Sequence, residues 1–210
     1  MALYPMGRAP SRRRVLQVTS AAATLAIFGS AGSAQTADDL EETWPIDDRE
    51  NATVTRDGDG DLETADDVVV PAGVDMDGGI TAEGSVVLER GSAVDGNVDA
   101  LGHARLEQRV EVDGLVNVEG HVLLEDDAEL DGDVIAGGHV VLFSGTAVDG
   151  DLEAGRNVLL RGGAEVDGDL VAAGDVILED GPVVDGDVTG RSVDVSVDAE
   201  VDGSIVETGS

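Results

Sequence analysis

Apolar residues recur through most of this chain on a short, fixed step. Asp-Gly pairs place glycines at Gly60, Gly78, Gly96, Gly114, Gly132, Gly150, Gly168 and Gly186, each 18 residues after the last, and at Gly203 after 17. Counting each repeat from its glycine, aliphatic or small residues hold positions 3 and 5, 9 and 11, and 15 and 17. Position 3 reads Leu62, Ile80, Val98, Val116, Val134, Leu152, Leu170, Val188 and Ile205; position 11 reads Val70, Leu88, Leu106, Leu124, Leu142, Leu160 and Leu178. Each pair is separated by one residue, the period of a strand whose alternate side chains face one side.

Three short strands per repeat, punctuated by Gly and Asp, predict three corners, and the glycines at position 1 and near position 7 are expected to turn the chain through positive φ. A constant period of this size marks units that bury their apolar faces only by stacking on neighbours. The expectation is an all-β, three-sided β-helix over residues 60–210, with about eight coils of 18 residues. At a strand spacing of about 4.8 Å the rod would be roughly 40 Å long. The chain's single Trp and two Phe fit this architecture, since a narrow bore filled by stacked Val, Leu and Ala has no room for large rings.

The residues before the repeats read differently. Arg12 and Arg13 precede a modest apolar stretch and a small-residue site ending at Ala34, the layout of a twin-arginine export signal over residues 1–34. Cleavage after Ala34 or retention as an anchor are the two outcomes; the stretch is diluted by Ser, Thr and Gly, which favours cleavage. Residues 35–59 form an acidic, aperiodic segment expected to be a flexible tether. It holds the sequon Asn51-Ala52-Thr53, a glycosylation acceptor in an exported chain.

Charge narrows the setting. The formal net charge is −33 and lysine is absent; all 45 acidic residues lie after Ala34 with only 8 of the 12 arginines, so residues 35–210 carry −37. Such a surface repels nucleic acid and anionic lipid and suits solvation in multimolar salt, so the chain reads as halophilic. The position-18 aspartates, Asp59 to Asp202, should stack one coil apart and repel by about 0.9 kcal/mol per neighbouring pair even in water.

Candidate chemistry is sparse. There is no Cys, and no Ser has a recognisable elbow or partner His. His103, His121 and His139 share position 8 in successive repeats, a weak candidate for a metal ladder that more simply reads as a surface row. Asp57-Gly58-Asp59-Gly60-Asp61 starts like a calcium loop, but Leu62 and Val68 stand where its turn glycine and bidentate Glu belong. The expectation is a non-enzymatic protein with no catalytic residue, cofactor or small-molecule substrate. The competing reading is a trimeric left-handed hexapeptide-repeat enzyme of the acyltransferase or γ-carbonic-anhydrase type, because units such as Val148-Asp149-Gly150-Asp151-Leu152 also satisfy that loose pattern.

The recurrent Val-Asp-Gly-Asp-Val/Leu units, as at Val166 to Leu170 and Val184 to Val188, followed by a small residue and a Val-x-Leu strand, resemble the bactofilin family of polymer-forming cytoskeletal proteins. So does the shortened last coil from Gly186 to Gly203. The resemblance covers about residues 60–207. It implies a right-handed helix and end-to-end assembly into nucleotide-free, non-polar filaments. A terminal aromatic common in that family is Val201 here, and export departs from the usual cytoplasmic or inner-membrane location. The partners expected are further copies of the chain, with membrane or cell-surface components as others.

Two surfaces follow. The ends of a β-helix are unpaired strand edges, which makes Val201 and Ile205 the expected polymerisation contacts. Position 10 faces outward on the second strand yet reads Val69, Val87, Arg105, Leu123, Val141, Leu159 and Ile177. Exposed stripes of this kind mark contact surfaces. Lateral association of filaments is the favoured use, and fold-back of the N-terminal segment through Trp44 and Ile46 the other.

Overall fold

The structure is a computed structural model describing residues 52–58 and 60–209. Among the described residues there is no helix. Twenty-six short strands form three parallel sheets of nine, eight and nine strands, each inner strand bonded to its equivalents one coil before and after. The first face carries Leu62–Thr64 and its repeats to Ile205–Glu207; the second runs from Thr53–Val54 through Val68–Val70 to Val193–Val195; the third runs from Asp75–Met76 to Glu200–Val201. The described residues thus form a three-sided β-helix, as the period predicts, with about nine coils where about eight were expected.

Register follows the repeat. Val134 pairs with Leu152 and Leu124 with Leu142, an 18-residue step. The step shortens to 17 where Val176 meets Val193 and Val188 meets Ile205. Like therefore stacks on like. Val134 and Ala136 point into the bore while Ile135 between them is exposed, and Leu88, Leu106, Leu124, Leu142, Leu160 and Leu178 form one fully buried column. Burying each such side chain stabilises by about 1.5–3 kcal/mol. Position 15 is inward too: Ser92, Val110, Ala128, Thr146 and Ala164 are all buried.

The rod starts before Gly60. Thr53–Val54 pairs with Val68–Val69 in the second face across only 15 residues, and Thr55 beyond it is buried. The expectations for Arg12, Arg13, Ala34 and Asn51 fall on residues outside the described part.

One expectation about the corners is corrected. The glycines at positions 1 and 7 do not adopt positive φ; within the repeats that region is visited at position 14, by Gly73, Gly91, Gly145, Gly163 and Gly181 and by Arg109 and Asp127, and at position 13 by Gly162 and Asp180. Position 14 lies in the turn between the second and third faces, closed by bonds such as Ala128 N to Glu125 O at 3.2 Å. The glycines at positions 1 and 7 are required instead by close approach of coils. A Cβ on Gly150 would stand 2.7 Å from the carbonyl carbon of Gly132 and 2.3 Å from Asp133 Oδ1.

Candidate assembly surfaces

The corners hold the polar chemistry of the rod. At a corner the peptide N–H of position 2 or 8 points along the axis without a ladder carbonyl, and a buried or half-buried donor needs a partner. Side chains one coil earlier supply it. Along position 2, Asp133 Oδ1 accepts from Asp151 N (2.9 Å), Asp151 Oδ1 from Asp169 N (2.8 Å), Asp169 Oδ1 from Asp187 N (2.8 Å) and Asp187 Oδ1 from Ser204 N (2.7 Å). Asp61 and Asn97 do the same for Gly79 and Leu115. Asp57 of the calcium-like run accepts from Asp75 N at 3.3 Å, a corner bond of the same kind.

Along position 8 the row is continuous, and the three histidines belong to it. Asp67 caps Ser85 N and Ser85 Oγ caps His103 N; His103 Nδ1 accepts from His121 N (2.9 Å), His121 Nδ1 from His139 N (2.8 Å) and His139 Nδ1 from Asn157 N (3.2 Å); Asn157 Oδ1 accepts from Asp175 N. The rings stack, with centroids 4.9 and 5.1 Å apart. With Nδ1 accepting, the neutral ring carries its proton on Nε2, so neither nitrogen presents a free lone pair to a cation. Among the described residues no group of three or more His, Cys, Asp or Glu side chains is disposed to hold a metal ion. The row acts as structural bonding. Burial lowers the pKa of all three histidines; for His121, burial and then the positive charge of His103, His139 and Arg156 bring it to about 4. At the end of the row, hydrogen bonding from Arg191 holds the Asp175 carboxyl below its usual range.

This capping function was not read from the sequence. Its only trace there is that positions 2 and 8 are mostly Asp, Asn, Ser or His, the short side chains that bond nearby backbone.

The two ends differ. Thr53–Val54 lies over Val68 and Val69 at the start, leaving Leu62 and Val74 half-buried. At the other end no described strand lies beyond the last coil: Val193, Val195, Ala199 and Val201 pack on the core only partly, and Ile205 and Val206 are exposed. The expected contact residues Val201 and Ile205 therefore both sit on this terminal coil, on the third and first faces respectively.

The position-10 stripe points outward on the second face, between inward neighbours such as Val140 and Leu142. Its environment differs from that of the other faces. Val87, Val141 and Leu159 are 1%, 2% and 7% exposed, with Leu123 and Ile177 half-buried, whereas the outward aliphatics of the first face, Ile135 and Val171, are 39% and 43% exposed. Val141 and Leu159 form a separate apolar cluster with Leu123, Phe143 and Ile177. Ion pairs Arg105–Glu125 and Arg161–Glu179 cross neighbouring coils beside it.

Residues 104–206 match the sequence profile of the family described as Bactofilin, polymer-forming cytoskeletal. With the three-sided β-helix those residues build, the match settles the relationship. The chain belongs to the bactofilin family. The match begins at Ala104 on the second face, and the coils before it continue the same register without a break. Neither a curated protein nor a solved structure matches the chain. Among the described residues no helix is long and apolar enough to cross a membrane.

Proposed function

We propose that this bactofilin is a non-enzymatic scaffold whose rods join end to end into filaments outside the cytoplasm. The observation that carries the reading is the last described coil, where Ile205 and Val206 are exposed and Val193, Val195 and Val201 half-buried beside a strand edge that no described strand covers. An apolar, hydrogen-bond-hungry edge is a template for further pairing. The family's polymer-forming character agrees with that use. Val201→Arg or Ile205→Asp should abolish filaments seen by electron microscopy in multimolar KCl while leaving the β circular dichroism intact; filaments that persist would move the contact off this end.

Location outside the cytoplasm rests on the paired arginines before the apolar stretch and on the acidic, lysine-free composition of everything after Ala34. Replacing Arg12 and Arg13 by Lys should retain the protein inside the cell, as judged by fractionation; unchanged export would remove the twin-arginine reading.

A further inference from the structure

The two ends of the rod stop at matching places. Each coil runs from the first face to the second and then the third, and the last described strand, Ile205–Glu207, is on the first face. The next strand in that order would lie on the second face against Val193–Val195. The first described strand, Thr53–Val54, is a second-face strand; it pairs with Val68–Val69 on one side and with no described strand on the other. Val54 there is 57% exposed.

The inward positions at the two ends also depart from the rest of the bore, in opposite ways. In mid-rod Ala136, Ala154 and Ala172 fill one buried column of the first face. At the last coil that column ends on Glu207, registered on Gly190. The Glu207 Oε1 atom accepts the N–H of Val193, on the second face, at 3.0 Å. At the first coil the column begins with Thr64, whose hydroxyl lies 3.3 Å from that of Thr53 on the second face. Thr55, beside it, is 3% exposed and its Oγ1 has no hydrogen-bond partner. A groove of about 200 Å³ opens at this end, lined by Thr53, Val54, Thr55, Gly60, Asp61 and Leu62. Hydroxyls thus mark one end of the bore and a carboxylate the other.

We infer that the rods join head to tail, with Val193–Val195 and Ile205–Glu207 of one copy stacking on Thr53–Val54 and Leu62–Thr64 of the next. The inference rests on the end-to-end reading above and fixes which ends meet. In this register Ile205 meets Leu62, Val193 meets Thr53 and Glu207 meets Thr64, each one strand spacing of about 4.8 Å away. The bond that ties Glu207 to Val193 across the bore then lies against the Thr53–Thr64 pair, which makes the same crossing one coil on. The hydroxyl pair donates to the second oxygen of the Glu207 carboxylate, a charge-assisted bond. It supplies the partner without which a carboxylate enclosed at a junction would be costly. Two last coils meeting would instead place two Glu207 carboxylates in one bore, where like charges repel and no threonine pair receives them. Filaments built head to tail have a direction, unlike the non-polar ones that the family resemblance implies.

The chain has no cysteine, so introduced thiols report on the junction alone. Glu63 and Val206 hold the exposed middle positions of the two first-face strands that meet, and one strand spacing puts their Cα atoms within disulfide reach. In full-length filaments, Glu63→Cys with Val206→Cys should yield a ladder of covalent oligomers on mild oxidation. A mixture of the two single variants should yield dimers, and neither single variant alone should. Thr53→Val with Thr64→Val should raise the concentration needed for filaments several-fold, and adding Glu207→Ala should restore it. Dimers from either single variant alone, or filaments that form no cross-link, would overturn the inference in favour of ends that meet like to like. Assembly indifferent to the valine pair would overturn it as well. Absence of filaments from the unsubstituted protein would remove the end-to-end reading itself, and the inference with it.

Discussion

The middle of the rod and its last coil share one sequence pattern and differ in what it achieves. Leu152 and Ile205 hold the same position on the first face, but Leu152 is buried between coils while Ile205, with a coil on one side only, is 48% exposed. The corner row tells the same story. Asp151 both donates its N–H to Asp133 and caps Asp169, whereas Ser204 donates its N–H to Asp187 Oδ1 and has no described coil after it to cap. Stability in such a chain is a nearest-neighbour quantity: a residue counts fully only with a coil on each side. A half-satisfied coil is then the natural place for another chain to add.

The widest gap between the two regions should appear in the core. Leu152→Ala removes a fully buried side chain in mid-rod and should cost about 2–5 kcal/mol in thermal or denaturant unfolding. Ile205→Ala, measured at a dilution below assembly, should cost about 1 kcal/mol, because half of that side chain is already in water. Equal losses would show that the last coil is covered in the monomer, and the end-contact reading would fall with that result.

A second pair uses the corner glycines. Gly150 and Gly60 both occupy position 1, yet a Cβ at Gly150 meets the preceding corner at 2.7 Å or less while one at Gly60 has nothing within 4 Å. Gly150→Ala should therefore cost about 1–3 kcal/mol by forcing coils apart, and Gly60→Ala should be close to neutral. Similar costs at both sites would point to backbone freedom rather than coil contact as the reason for the glycine.

What could be read from the residues, and what could not, divides along the same line. Strand positions, three faces, inward columns and the 17-residue last coil were legible because each is written within one repeat, as the column Leu142, Leu160, Leu178 shows. The reason for Gly150 and the capping by Asp133 and His121 were not. Each depends on what a residue meets one coil away, and a repeat read alone names the residue but not its neighbour. The positive φ of Arg109 and Asp127 was hidden for a related reason, since no glycine marks those turns.

The smallest effect expected separates the histidine portion of the corner row from the rest of it. Burial, and then the positive charge of His103, His139 and Arg156, brings the folded pKa of His121 to about 4, below the ordinary 6.5, and its Nδ1 accepts the His139 N–H only while unprotonated. The unfolded chain then binds more protons than the folded one between those values. Stability contributed by the neutral rings is complete above about pH 6.5 and is lost as the pH falls towards 4. His139 is buried and His103 and His121 are half-buried; after discounting for the solvent screening that remains, the loss should be on the order of 1 kcal/mol in all. Asn157 caps Asp175 N from the same position without titrating, which supplies the control. Replacing His103, His121 and His139 together by Asn should leave stability at pH 7.5 unchanged and flatten the melting temperature between pH 6.5 and 4.5. If the Asn variant keeps the full acid sensitivity, the titrating groups are carboxylates elsewhere on the rod, and the histidine row is only one of several interchangeable ways to close that corner.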